Sequence, residues 1–193
     1  MNGNEILGSL RQLARFYSDC ALLLKTAEAC LADAGWQNVT GNRGIADLSK
    51  SIEYPEFWPP YYAFRFFGSD RHKSLMAFVS VIFDLPEEPR LITEPLVSAG
   101  WFEFGEGVIP DDKEYYFATL HLWMPNRKDD GTFFQLDPRK EWPDEGYKIS
   151  QLTTLAVPLV SVTNSQCLRD RVIEPLLRRI ADSDPDSLMV IEK

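Results

Sequence analysis

Any chemistry in this chain has to be built from three cysteines, two histidines and a large supply of carboxylates. The spacing of these groups excludes most familiar sites. There is no CxxC or HxxxH pair, so no zinc site is expected, and no metal or cofactor is assigned. No GxSxG elbow supplies a serine nucleophile. Cys20 and Cys30 fall on the apolar side of a helical pattern, where a buried, inert thiol is the expectation. His121 lies between Thr119 and Trp123 on one face of a candidate strand. Imidazole titrates near neutrality, which suits a general base, but packing beside the tryptophan is the expected role. Gly41-Asn-Arg-Gly44 is too short for a phosphate loop and lacks its lysine, and no GxGxxG follows a strand.

The carboxylates carry more information. Residues 84–114 hold nine acids (Asp84, Glu87, Glu88, Glu94, Glu103, Glu106, Asp111, Asp112, Glu114) against Arg90 and Lys113. That segment therefore carries −7 of a net charge of −9, and the rest of the chain is nearly balanced. Nucleic-acid binding draws its affinity from positive charge on the protein, so nucleic acid is not an expected partner. Tryptophan and tyrosine beside polar loops are the residues that dominate protein interfaces. Trp101, Glu103, Glu106, Asp111, Asp112 and Tyr115 are accordingly the candidate partner-binding residues, and the charge points to a basic protein.

Two other readings use neighbouring residues. A carboxylate-dependent, metal-assisted hydrolase or nuclease would draw on Asp84, Glu103 and Glu106, with Asp111-Asp112-Lys113 as the nearest acid-x-Lys string. A small-ligand site would lie between the long helix and a curved sheet, lined by Phe64, Phe66, Phe102 and Phe104.

The elements that must position these residues begin with a helix from Asn4 to Gly35. Ile6, Leu10, Leu13, Tyr17, Cys20, Leu24, Ala27 and Leu31 alternate in steps of four and three, which keeps them on one stripe. Asn4 is a suitable N-cap and Gly35 a suitable terminator. At 1.5 Å per residue the helix is roughly 45 Å long. A two-stranded coil would want charge flanking this stripe, yet Leu7, Ala14, Ala21, Phe16, Leu23 and Cys30 occupy six of the seven flanking positions, with only Glu28 charged. The stripe is therefore expected to lie on a sheet, with Leu10, Tyr17, Leu24 and Leu31 buried in one chain. A homo-oligomer is allowed but not required.

From Trp36 to Pro60 no period persists, and Val39–Gly44 reads as a turn or hairpin tip. Strands are expected at 61–67, 75–84, 96–104, 115–124, 132–136 and 152–162, with Asp130-Gly131 as a hairpin signal. Leu75–Asp84 is apolar on both alternating sets, which marks an interior strand covered on both faces. Pro158 suits an edge or a bulge. Thr163 and Gln166 fit a capping box ahead of a C-terminal helix to Ala181, with Pro175 kinking it or starting a second segment. Residues 182–193 form an acidic tail in which 188–191 could add a short strand.

The expected fold is thus α+β, a single domain with a meander-like antiparallel sheet of five or six strands, a long N-terminal helix and a C-terminal helix. With 193 residues and 45% hydrophobic content, the chain can bury a sizeable core. No run approaches 18 apolar residues and no basic segment precedes an apolar one, so neither a membrane span nor a secretory leader is expected. Cys20 and Cys30 are too far apart on one helix to bridge, and free thiols fit a reducing cytoplasm. The functional expectation is a non-enzymatic cytoplasmic module that binds another protein, neutralising or regulating a basic partner through an acidic and aromatic surface.

Overall fold

A computed structural model describes residues 2–42, 62–83, 94–104, 130–137 and 149–183. Helix α1 runs over Gly3–Asp33. Its cap is Asn2, two residues before the expected Asn4. Asn2 Oδ1 accepts from the amides of Asn4 and Glu5, and Glu5 returns a carboxylate oxygen to the Asn2 amide at 2.7 Å. Two otherwise unpaired amides of the first turn are satisfied in this reciprocal way. At the other end Gly35 adopts φ 84°. Its amide donates to Ala32 O, and that of Trp36 donates to Leu31 O. The left-handed residue closes the last carbonyls and turns the chain toward the sheet.

The described strands are β1 (Gln37–Asn38), β2 (Tyr62–Gly68), β3 (Leu75–Ile82), β4 (Leu96–Phe104), β5 (Phe134–Leu136) and β6 (Ile149–Pro158). They form one antiparallel sheet in the order β1-β2-β3-β4-β6-β5. The α+β architecture and strand count agree with the sequence reading. All eight residues of β3 are buried, as an interior strand requires. Among the described residues the edges are the two-residue β1 and three-residue β5, both short. Pro158 ends β6 opposite Leu96, beyond the part of β6 paired with β5, so its missing amide breaks no ladder bond with β5. Gly131, at φ 83°, makes the turn into β5 with Thr132 N donating to Asp130 Oδ1. The strand expected at 115–124 lies outside the described residues.

Register separates the two faces of the sheet. Arg65, Val79, Ala99 and Leu155 pair across β2, β3, β4 and β6 on the face that carries the helices. The core on that face joins Ala63, Phe67, Ala77, Val81, Val97 and Trp101 to Leu24, Ala27 and Leu31 of α1 and to the C-terminal helix. That helix starts as α2 (Ser165–Leu168), widens into a π stretch over Arg169–Ile173 and continues as α3 (Glu174–Ser183). Pro175 cannot donate to the carbonyl four residues back, and the wider turn before it absorbs the defect. A second segment thus starts at Glu174, one of the two outcomes expected of Pro175. The N-cap is Asn164, whose Oδ1 accepts from Cys167 N at 2.9 Å. Thr163 was the expected cap, but Gln166 instead donates to Asp170, so no Thr163–Gln166 box forms.

Candidate interaction surface

Trp101 and Glu103 sit two residues apart on the helix-covered face of β4. Trp101 is fully buried, packs near Phe133 at 6.2 Å between ring centroids, and donates Nε1–H to Glu103 Oε1 at 3.2 Å. Its ring serves the core and fixes a half-buried carboxylate at the sheet surface. In this fold it has no exposed surface to offer a partner. Glu106, Asp111, Asp112 and Tyr115 lie outside the described residues, as do Asp84 and His121. Among the described residues no group of three or more His, Cys, Asp or Glu side chains is placed to hold a metal ion.

The four phenylalanines of the ligand reading are buried on the other face of the sheet. Phe64, Phe66 and Phe102 form a ring array with Phe78, at centroid distances from 5.0 to 6.4 Å. Every buried residue of the described helices belongs to the opposite core, so these rings do not line a space beneath α1. The period of two that puts Ala63 and Phe67 under the helix sends Phe64 and Phe66 away from it.

The turn after β1 is held by a polar cluster. Arg65 Nη1 donates to Gly41 O at 2.7 Å, and its Nε lies 3.5 Å from Glu28 Oε2. Asn38 Nδ2 donates to Glu28 Oε1 and Gly41 O, while its Oδ1 accepts from the Thr40 amide and hydroxyl. These contacts tie α1 to β1 and β2, with the buried Arg65 Nε meeting Glu28 as an ion pair rather than through a hydrogen bond. Nearby, His72 stacks on Trp36 with the rings 8° from parallel. Both arrangements are structural.

The thiols divide by environment. Burial pushes Cys20 up to about 11, with Asp19 adding to the effect. Burial also raises Tyr17, with a smaller contribution from Cys20. Cys167 is partly exposed, and the Thr163 hydroxyl at 3.6 Å holds it below the ordinary thiol range, helped by Arg171. Cys30 is buried and accepts from Arg169 Nη2 at 3.5 Å.

The feature that reaches outside the fold is the first half of α1. Cys20, Leu24, Ala27 and Leu31 of the stripe are buried. Ile6, Leu7, Leu10 and Leu13 are 47, 44, 59 and 43% exposed. The expectation that Leu10 is buried is therefore overturned, and Tyr17 is only half-buried. The transition is marked by Phe16, Tyr17 and Phe83, whose ring centroids lie 5.4 to 5.7 Å apart at the end of β3. The cause is length. Strands of nine or ten residues extend about 30 Å, whereas a 31-residue helix extends about 45 Å, so α1 overhangs the sheet as an arm. Strand length was the signal available for it, and the apolar period alone did not use it.

An open groove of about 470 Å³ begins at Phe16 and runs between α1 and the segment 159–168. Leu23, Val162 and Leu168 line it, with the exposed Leu22 and Val160 at its margins. No described helix is long and apolar enough to cross a membrane. No family model, curated protein or solved structure matches the chain.

Proposed function

We propose that the chain is a protein-binding module. The observation that carries the reading is the apolar arm, where Ile6, Leu10 and Leu13 of the helix stripe and the flanking Leu7 stand outside the core. The largest contiguous apolar patch on a protein is often a contact site, and this stripe is of that kind. The net charge of −9, concentrated in residues 84–114, supports a basic protein as the recognised partner, with Glu103 the described carboxylate nearest that segment's centre. The arm supplies an apolar contact surface, and the acidic segment supplies sign and rate for the basic partner.

The test is capture from native extract at low salt on immobilised wild-type chain. Two variants accompany it, Leu10→Glu/Leu13→Glu and Glu103→Gln/Glu106→Gln/Asp111→Asn/Asp112→Asn. A protein retained by the wild type, released by salt and lost from both variants is the expected result. Identical capture by all three chains would overturn the reading.

A further inference from the structure

Resting on that reading of the arm, we propose that its occupant is the arm of a second copy of this chain, paired antiparallel about a two-fold axis at Leu10. Four observations lead there. First, the exposed Ile6, Leu10 and Leu13 follow the four- and three-residue steps that fit another helix, with Leu7 beside them. Second, the arm comprises the thirteen or so residues before Phe16, and a helix of that length without packing is marginal in water.

Third, the direction of pairing is fixed by the fold. The stripe that is open in the arm is covered by the chain's own sheet from Cys20 onward. Parallel arms would bring two sheets into the same space between the helices. Antiparallel arms place each tip beside the partner's Tyr17, where the covered part of α1 begins. Overlap of residues 3–17 then centres on Leu10, the most exposed of the four, and sets Leu7 against Leu13 and Ile6 against Ala14 of the other copy.

Fourth, area and charge permit it. The four residues expose roughly 400 Å² per chain, so pairing removes at most roughly 800 Å² before flanking atoms, below the ~1,200 Å² of stable complexes and in the range of weak, exchanging contacts. The chain is acidic overall, yet residues 2–18 carry Arg11 and Arg15 against Glu5 alone, so the arms are spared the repulsion that the acidic segment would impose.

The test uses the full chain. Sedimentation of the wild type should show the mass rising from 22.1 kDa toward twice that value as concentration increases through about 100 µM. Leu10→Glu/Leu13→Glu should stay at 22.1 kDa, with circular dichroism matching that of the wild type at sub-micromolar concentration, where both are unpaired. In a Cys167→Ser background, Leu10→Cys should cross-link to itself on oxidation. Ile6→Cys alone, about 12 Å from its copy along the axis, should not, but should cross-link when mixed with Ala14→Cys. A wild type monomeric at every concentration would overturn the proposal. So would self-linking of Ile6→Cys as efficient as that of Leu10→Cys, which would mean parallel arms. Should the chain stay monomeric while capture still depends on Leu10 and Leu13, the second copy is refuted and the arm as a docking surface stands.

Discussion

Leu10 and Leu24 occupy the same position of the helical repeat, 14 residues apart, and differ only in what surrounds them. Leu24 is 4% exposed in the main core, whereas Leu10 is 59% exposed. Replacing Leu24 by alanine removes buried methyl groups and leaves a cavity, which costs about 2–5 kcal/mol. For a chain of this size each kcal/mol moves the midpoint by about 2–4 °C, so a mid-range loss lowers Tm by roughly 7–14 °C. Leu10→Ala leaves no cavity and puts the best helix former on an exposed turn, so its effect stays within about 0.5 kcal/mol. Both values apply at sub-micromolar concentration, where the arm is unpaired. The assay is thermal unfolding followed by circular dichroism at that concentration. Equal losses for the two variants would refute the account, because Leu10 would then be packed on its own chain.

Three further outcomes follow from individual residues. Gly100 lies mid-sheet in β4, where an added Cβ would collide with the Thr153 carbonyl and crowd Thr154 Cα and Phe78. Gly100→Ala should therefore abolish cooperative unfolding or cost more than the 1–3 kcal/mol usual for overpacking. Asn164→Ala removes the acceptor for the Cys167 amide and should cost about 1 kcal/mol in urea unfolding, while Thr163→Ala should leave the helix start in place. Among the thiols, Cys167 should react first with a disulfide reagent near pH 8 and Cys20 last, read by mass spectrometry of peptides. Since the folded state holds the Cys20 proton more tightly, its contribution is complete below the ordinary thiol pKa and is lost as pH rises toward about 11. Stability should fall over that alkaline window, and less so in Cys20→Ala.

The sheet was legible because period and punctuation agree. Leu96–Phe104 is bounded by Pro95 and Gly105, and β4 occupies the stretch that alternation marks. The two-sided apolar run of β3 likewise reads directly as an interior strand. Caps were legible in kind but not in position, because neighbouring residues compete. Asn2 and Asn4 are equally able acceptors, and only Asn2 has Glu5 three residues on to close the reciprocal pair. Asn164 displaces Thr163 for a similar reason, one residue closer to the amide that needs an acceptor. The exposed arm was not legible, because periodicity tells which residues share a stripe and not how far the covering sheet extends. The type of Trp101 and its acidic neighbours suit a contact, yet alternation puts it on the face that the helices bury.

The most direct measurement of the central claim is amide hydrogen exchange along α1 as a function of protein concentration. The account predicts that amides of residues 6–15 exchange quickly in dilute solution and gain protection as concentration rises, while those of residues 20–33 stay protected throughout. Equal, concentration-independent protection of the two halves would contradict it.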